Sequence, residues 1–132
     1  MKTALTYDDV LLVPRYSDIE SRSEIVLDSD LDNRRTLTLP IISSPMDTVT
    51  GDVMASTMAL SGGLGIIHRY NTPDEQATIL AISKRIANTI RGKDANLIGA
   101  AIGVSGDYLD RARKLVKAGA DIIVNTDGDN QY

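Results

Sequence analysis

The sequence contains no cysteine, tryptophan or phenylalanine, and its single histidine is His68. Without cysteine the chain can form neither a disulfide nor a thiolate metal site. One histidine also argues against a self-contained zinc site, because such sites need several nitrogen or sulfur ligands. We therefore expect no metal site. The lack of cysteine also suits a cytoplasmic protein.

The chain has no excess of positive charge and no long apolar run. It carries 14 basic and 18 acidic residues, a net charge of -4, which argues against non-specific binding of nucleic acid. No apolar run approaches the ~20 residues needed to span a bilayer, and the first residues lack the apolar core of a signal peptide. We expect no nucleic-acid or membrane partner. The length of 132 residues predicts one soluble domain.

From Leu39 onward, short apolar runs alternate with helical patterns. Strands are predicted at 40–44, 64–67, 97–102 and 121–124, with helices over about 51–61, 72–91 and 107–118. Continuous apolar strands are buried on both faces, as in a parallel sheet. The sequence therefore predicts an α/β fold with the order β-α-β-α-β-α-β.

Helix boundaries and buried faces are also predicted. Thr50 is an N-cap candidate for the first helix. Thr72, Pro73 and Glu75 together form a capping box with proline at the first helical position. Spacings of three and four residues predict the inward faces. These faces comprise Met54, Ala55, Met58 and Ala59 in the first helix, Ile79, Ile82, Ile86 and Ile90 in the second, and Leu109, Ala112, Leu115 and Val116 in the third.

Residues 1–39 lack this alternation and are predicted to form an extended N-terminal arm with one or two short strands. The expected buried positions in the arm are Ile19, Ile25, Val26 and Leu27. The predicted organisation is therefore an arm over 1–39 followed by an α/β unit over 40–132.

Polar or glycine-rich residues follow each predicted strand. Because right-handed crossovers make successive strands parallel, their carboxyl ends share one edge. That edge would carry Ser43–Asp47, His68–Asn71, Gly103–Gly106 and Asn125–Gly128. Each segment alone reads as an ordinary loop, whereas four on one edge predict a ligand site. For His68 we expect hydrogen bonding to neighbouring backbone rather than catalysis.

Four segments of the chain resemble the start of the catalytic barrel of the IMP dehydrogenase/GMP reductase family. They are Thr6–Pro14 (TYDDVLLVP), Ser43–Thr50 (SSPMDTVT), Gly62–His68 (GGLGIIH) and Gly99–Gly103 (GAAIG), in the family's order and approximate spacing. The resemblance covers nearly the whole chain. It is closer to IMP dehydrogenase, because GMP reductases typically diverge more in the second and third of these segments.

The resemblance implies the first half, about four βα units, of a (β/α)₈ TIM barrel. It also implies oxidation of IMP to XMP in guanine nucleotide synthesis, with hydride passing to NAD. Ser44 matches a position on the sugar-phosphate side of the purine nucleotide, and Met46 one against its base. Gly103 and Ser105 match the loop that borders the nicotinamide dinucleotide. After the fourth strand the family has an aspartate that helps to hold the dinucleotide ribose. Either Asn125 stands at that position, with one residue deleted, or the register of the family pattern is lost there.

The chain departs from the family pattern in three respects. The regulatory domain pair that many members carry after the second helix is replaced by the short segment 92–96. The expected aspartate after the fourth strand is missing from the Val124–Gly128 stretch in the family's register, where Asn125 is the candidate replacement. The cysteine whose thiolate adds to the purine is absent, as are the glycine-rich phosphate loops and the arginine-bearing flap of the second half. The resemblance therefore implies no catalytic residue here, and we expect a truncated or partial chain that is inactive alone.

Two other readings remain open beside IMP dehydrogenase. One is a GMP reductase-like barrel or a flavin-dependent nitronate-oxidase-like barrel, which shares a Pro-Met after the first strand and a Gly-Gly-Leu-Gly strand. The other is a non-catalytic half-barrel interaction module. A half barrel has two open strand edges, so we also expect self-association or pairing with a complementary half barrel.

Overall fold

The computed structural model describes residues 4–92 and 97–126, which form a four-stranded parallel sheet, three α-helices and a separate antiparallel hairpin. The elements are β1 (Ser29–Asp32), β2 (Arg35–Leu37), β3 (Ile42–Ser43), α1 (Asp52–Ser61), β4 (Leu64–Ile67), α2 (Pro73–Arg91), β5 (Ile98–Ile102), α3 (Tyr108–Ala118) and β6 (Ile122–Asn125). The parallel sheet has the spatial order β3-β4-β5-β6. The predicted α/β class and element order are confirmed, although β3 is shorter than expected.

The predicted start of α2 is confirmed and that of α1 is wrong. In α2 the Thr72 hydroxyl accepts from Glu75 N at 3.3 Å, and the Glu75 carboxylate accepts from Thr72 N at 2.8 Å. In α1 the N-cap is Gly51 rather than Thr50. Thr50 is fully buried, and its hydroxyl donates to the Ser44 carbonyl instead of capping the helix.

The helices pack on one face of the sheet. The cluster there comprises Ala55, Ala59, Ile67, Leu80, Ala87, Ile98, Ala100 and Leu115. A Cβ atom added at Gly65 would lie 2.5 Å from Ala55 Cα, so α1 lies directly against β4. Gly62 ends α1 with a φ of 87°. The glycines of the Gly62–His68 segment thus satisfy backbone and packing requirements.

The inward faces predicted for α2 and α3 are partly wrong. The buried residues of α2 are Gln76, Leu80, Ser83 and Ala87, whereas Ile79, Ile82 and Ile86 are half-buried beside them and Ile90 is exposed. In α3, Leu115 is buried as predicted, but Leu109 and Val116 are exposed and Arg111 is buried. In α2 the buried stripe thus combines Leu80 and Ala87 with two hydrogen-bonded polar side chains, Gln76 and Ser83.

The other face of the sheet is covered by the β1–β2 hairpin. Leu37 is buried there in a cluster with Leu64, Ile66 and Ala101. The expected burial of Ile19, Ile25, Val26 and Leu27 is wrong, because each side chain is between 46% and 77% exposed. These residues lie outside both clusters of buried apolar side chains found among the described residues.

In the described part of the chain, β3 and β6 are the edges of the parallel sheet. The longest helix, α2, has 19 residues. Over residues 4–92 and 97–126 no helix combines the length and apolar character that crossing a bilayer requires.

Candidate functional site

The carboxyl ends of the parallel strands lie at one edge of the sheet, which we call the rim. The register aligns Ser43 with Gly65, Ile67 with Ala100, and Ile102 with Asn125. The segments after β3, β4 and β5 therefore emerge on the same side, together with the end of β6. This is the arrangement predicted from the sequence, and it is where parallel α/β proteins hold ligands.

Ser44 and Met46 lie in the loop between β3 and α1. The loop is tightly bonded: Met46 N donates to Ser44 O at 2.8 Å, and Thr50 N donates to Met46 O at 3.0 Å. The Asp47 carboxylate accepts from Thr48 N at 2.9 Å. Both the Ser44 and Met46 side chains are exposed. The loop therefore presents a hydroxyl and a thioether from a well-defined backbone.

Gly103, Ser105 and Asn125 lie together at the other side of the rim. Asn125 ends β6 opposite Ile102, the residue before Gly103. Gly103 is buried, Ser105 is exposed, and Gly106 has a φ of 66°, which favours glycine. Ser44 and Met46 follow β3, which lies two strands from β5, about 10 Å by the usual strand spacing, and three strands from β6. The predicted rim residues after Thr126 lie outside the described residues.

The loop between β4 and α2 carries His68. Its Nδ1 accepts a hydrogen bond from Tyr70 N at 3.2 Å, and its ring stacks on Tyr70 with centroids 6.3 Å apart. The Arg69 guanidinium lies 5.6 Å from the centre of the Tyr70 ring. The expected hydrogen bond of His68 to neighbouring backbone is therefore present.

Beneath the rim lies a buried polar network that the sequence analysis missed. Gln76 is fully buried, and its Nε2 donates to Ala101 O at 2.9 Å and to Ile67 O at 3.3 Å. Its Oε1 accepts from Arg111 Nη1 at 2.9 Å. One side chain on α2 thus bonds to the ends of β4 and β5 and to α3.

Arg111 connects this network to the loops. Its Nη2 donates to Asn71 O at 2.7 Å and to Asp107 Oδ2 at 2.9 Å. The hydrogen bonds from Arg111 hold the pKa of Asp107 below its usual value, and the positive charge of Arg111 acts in the same direction. Only 5% of Arg111 is exposed, so it supports the rim from below rather than facing a ligand.

A signal for this network exists in the sequence. Gln76 and Arg111 each precede a buried leucine by four residues, Leu80 and Leu115, so each continues a buried helical stripe. A polar residue in line with such a stripe must find hydrogen-bond partners when it is buried. Within the described residues, no group of three or more histidine, aspartate or glutamate side chains is arranged to hold a metal ion.

The sequence was compared with protein families and with individual proteins of known name. The family described as IMP dehydrogenase / GMP reductase domain matches residues 4–131. The chain is 37% identical to the inosine-5'-monophosphate dehydrogenase of Cryptosporidium parvum over a 155-residue alignment, which covers 91% of this chain and 38% of that protein. It is 52% identical over 84 residues to the enzyme of the same name from Nitrosopumilus maritimus. That alignment covers 64% of this chain and 18% of that protein.

A further relative is the GMP reductase of Leishmania donovani, to which the chain is 44% identical over 81 residues, covering 61% of this chain and 16% of that protein. The chain thus spans between 16% and 38% of the length of these relatives.

Proposed function

The chain belongs to the IMP dehydrogenase/GMP reductase family, and on that basis we propose that it forms the IMP-binding half of an IMP-oxidising (β/α)₈ barrel. In this proposal residues 1–39 are an N-terminal arm, and residues 40–132 are a partial barrel without the regulatory domains. The observation that carries the proposal is the parallel sheet whose loops meet at one rim.

Two features of the sheet favour a barrel over a doubly wound sheet. The strands lie in space in the order in which they follow along the chain, whereas doubly wound sheets reverse their order at a switch point. All three helices contribute to the cluster on one face, and the hairpin covers the other. A barrel has all its helices in one outer layer, as the helices here lie on one face of the sheet only.

We assign roles to the rim residues by matching them to the family. The Ser44 hydroxyl would bond to the sugar-phosphate of IMP, and the Met46 thioether would pack on the purine ring. Gly103 and Ser105 would border NAD, which supplies the hydride acceptor. Asn125 lies beside that loop, and its neutral amide can both donate to and accept from a ribose hydroxyl, so these residues fit the dinucleotide.

The chain alone is expected to be catalytically inactive. Covalent oxidation of IMP needs a thiolate nucleophile, and the sequence contains no cysteine. We therefore propose that this chain supplies binding surface, and that pairing with a complementary half barrel, or with a second copy, completes the site. The unpaired outer sides of β3 and β6 among the described residues support such pairing.

The test is amide NMR of the isotope-labelled chain with IMP. We expect weak binding, with a Kd above about 10 μM, that shifts the amides of residues 44–49. Inosine, which lacks the phosphate, should shift them less. Ser44→Ala should weaken the response, and Ser29→Ala, on the hairpin, serves as the control. Shifts confined to other parts of the chain would contradict the assignment.

Two further readouts separate the alternatives. NADH production from IMP and NAD in proportion to the purified chain would contradict the expected inactivity. A purified chain that carries a yellow flavin would favour the nitronate-oxidase-like reading instead.

A further inference from the structure

A cleft lies at the end of the sheet opposite to the rim. It has a volume of about 440 Å³ and lies between the β1–β2 hairpin, the glycine turn after α1 and the end of α2. Small-molecule sites in proteins have volumes of this order. We call it the basal cleft.

The basal cleft is lined by three arginines, Arg34, Arg35 and Arg91, and none of its described lining residues is acidic. This composition contrasts with the chain as a whole, whose net charge is -4. These arginines belong to the hairpin and to the last residue of α2, which are far apart in sequence. Folding therefore concentrates positive charge in one cavity.

The three arginines differ in their ion pairing within the described residues. Arg35 is paired, because its Nη1 donates to Asp32 Oδ2 at 2.9 Å. By contrast, no side chain within residues 4–92 and 97–126 forms an ion pair with Arg34 or Arg91. Asp30 and Asp32 line an adjoining pocket of the hairpin together with Arg34, and the Asp30 carboxylate accepts from the Thr36 hydroxyl at 3.1 Å.

We propose that the basal cleft binds a small molecule that carries a phosphate or pyrophosphate group, at a site separate from the rim. Guanidinium groups match phosphate oxygens through paired N–H donors, so Arg34 and Arg91 would hold the anion. Leu37 and Leu97, which also line the cleft, provide apolar walls for the remainder of the ligand. The volume of the cleft is of the order of sites that hold a nucleotide-sized ligand.

The experiment is titration of the isotope-labelled chain with pyrophosphate, adenosine 5′-monophosphate and adenosine, followed by amide NMR. We expect the two phosphorylated probes to give saturable shifts in residues 34–38, 62–63, 91 and 97, and adenosine to give none. Because this readout uses the unaltered chain, it does not depend on any variant. No saturable shift up to about 10 mM, or shifts confined to the rim, would overturn the proposal.

Paired variants test whether the site is specific. Arg34→Gln with Arg91→Gln should weaken pyrophosphate binding about tenfold or more. Arg22→Gln with Arg113→Gln changes the net charge equally at exposed positions that do not line the cleft, and should leave the affinity unchanged. An equal loss in both double variants would mean that the chain attracts anions only through its overall charge, and would overturn the proposal.

Discussion

Arg111 Nη1 lies 2.9 Å from Gln76 Oε1, and both side chains are buried. The pair joins α3 to α2, and Gln76 extends the connection to the carbonyls of Ile67 and Ala101 at the ends of β4 and β5. The rim is therefore supported by directional hydrogen bonds as well as by apolar packing. Buried polar networks of this kind specify one arrangement because every alternative leaves groups unsatisfied.

Removing Arg111 should destabilise the chain strongly. Arg111→Met leaves the Gln76 Oε1 and the Asn71 carbonyl without their donor. We expect the free energy of unfolding to fall by about 2–4 kcal/mol, as measured by urea denaturation. Arg113→Met, at an exposed position of the same helix, should change it by less than about 0.5 kcal/mol. Equal effects of the two variants would contradict the importance of the network.

The contact between α1 and β4 leaves no room for a side chain at Gly65. In Gly65→Ala the new Cβ would lie 2.5 Å from Ala55 Cα, so the helix must move away from the sheet. We expect a loss of about 1–3 kcal/mol in the free energy of unfolding. Gly51→Ala is the control, because a Cβ there meets nothing within 4 Å. A thermal melt of both variants would show the difference, and an unchanged Gly65→Ala midpoint would refute the close contact.

The stability should decrease in acid partly through Asp107. Hydrogen bonds from Arg111 lower the pKa of Asp107 in the folded chain. A lowered pKa contributes stability that is fully present above the unfolded-state pKa, about 3.9, and is lost as the pH falls through the folded-state value. Asp107→Asn should therefore reduce the dependence of the urea midpoint on pH below about 4. Asp18→Asn, in an exposed segment, is the control. If the urea midpoint of Asp107→Asn depended on pH in the same way as that of the unaltered chain, the prediction would be contradicted.

The unpaired edges of the sheet should drive association. Among the described residues β3 and β6 have a partner on one side only, and Ile42 on β3 is 47% exposed. Sedimentation at about 10 μM should show a species of at least twice the chain mass. Ile42→Lys should suppress it, whereas Val53→Lys, at an exposed position on α1, should not. A monodisperse monomer of the unaltered chain would contradict this prediction.

Local sequence patterns were sufficient for the order of elements and for several of their ends. The start of α2 follows from Thr72, Pro73 and Glu75, because a capping box forms within one helical turn. Gly62 ends α1 for an equally local reason, its left-handed backbone conformation. The gathering of the loops at one rim followed from the handedness of the crossovers, which holds for nearly all parallel βαβ units.

Other features depend on partners distant in sequence, and only the tertiary structure decided them. Threonine is favoured at N-cap positions, which is why Thr50 was predicted there. Its hydroxyl instead donates to Ser44 O, and Gly51 takes the capping position. The spacing of the isoleucines predicted a buried stripe of α2 that the structure leaves half-buried or exposed. The stripe with Gln76 and Leu80 is inside because Ala101, Ile67 and Arg111 satisfy the glutamine.

The sequence by itself therefore determined the α/β class and the order of elements along the chain, because these rest on periodicity within a few residues. Together with the general handedness of βαβ crossovers, that order also determined which segments reach the rim. The tertiary structure decided which helix faces are buried, that Gly65 lies against Ala55, and that three arginines meet in the basal cleft. These outcomes depend on which surfaces meet after folding. No local pattern encodes a contact such as that between Gln76 and Arg111, which are 35 residues apart.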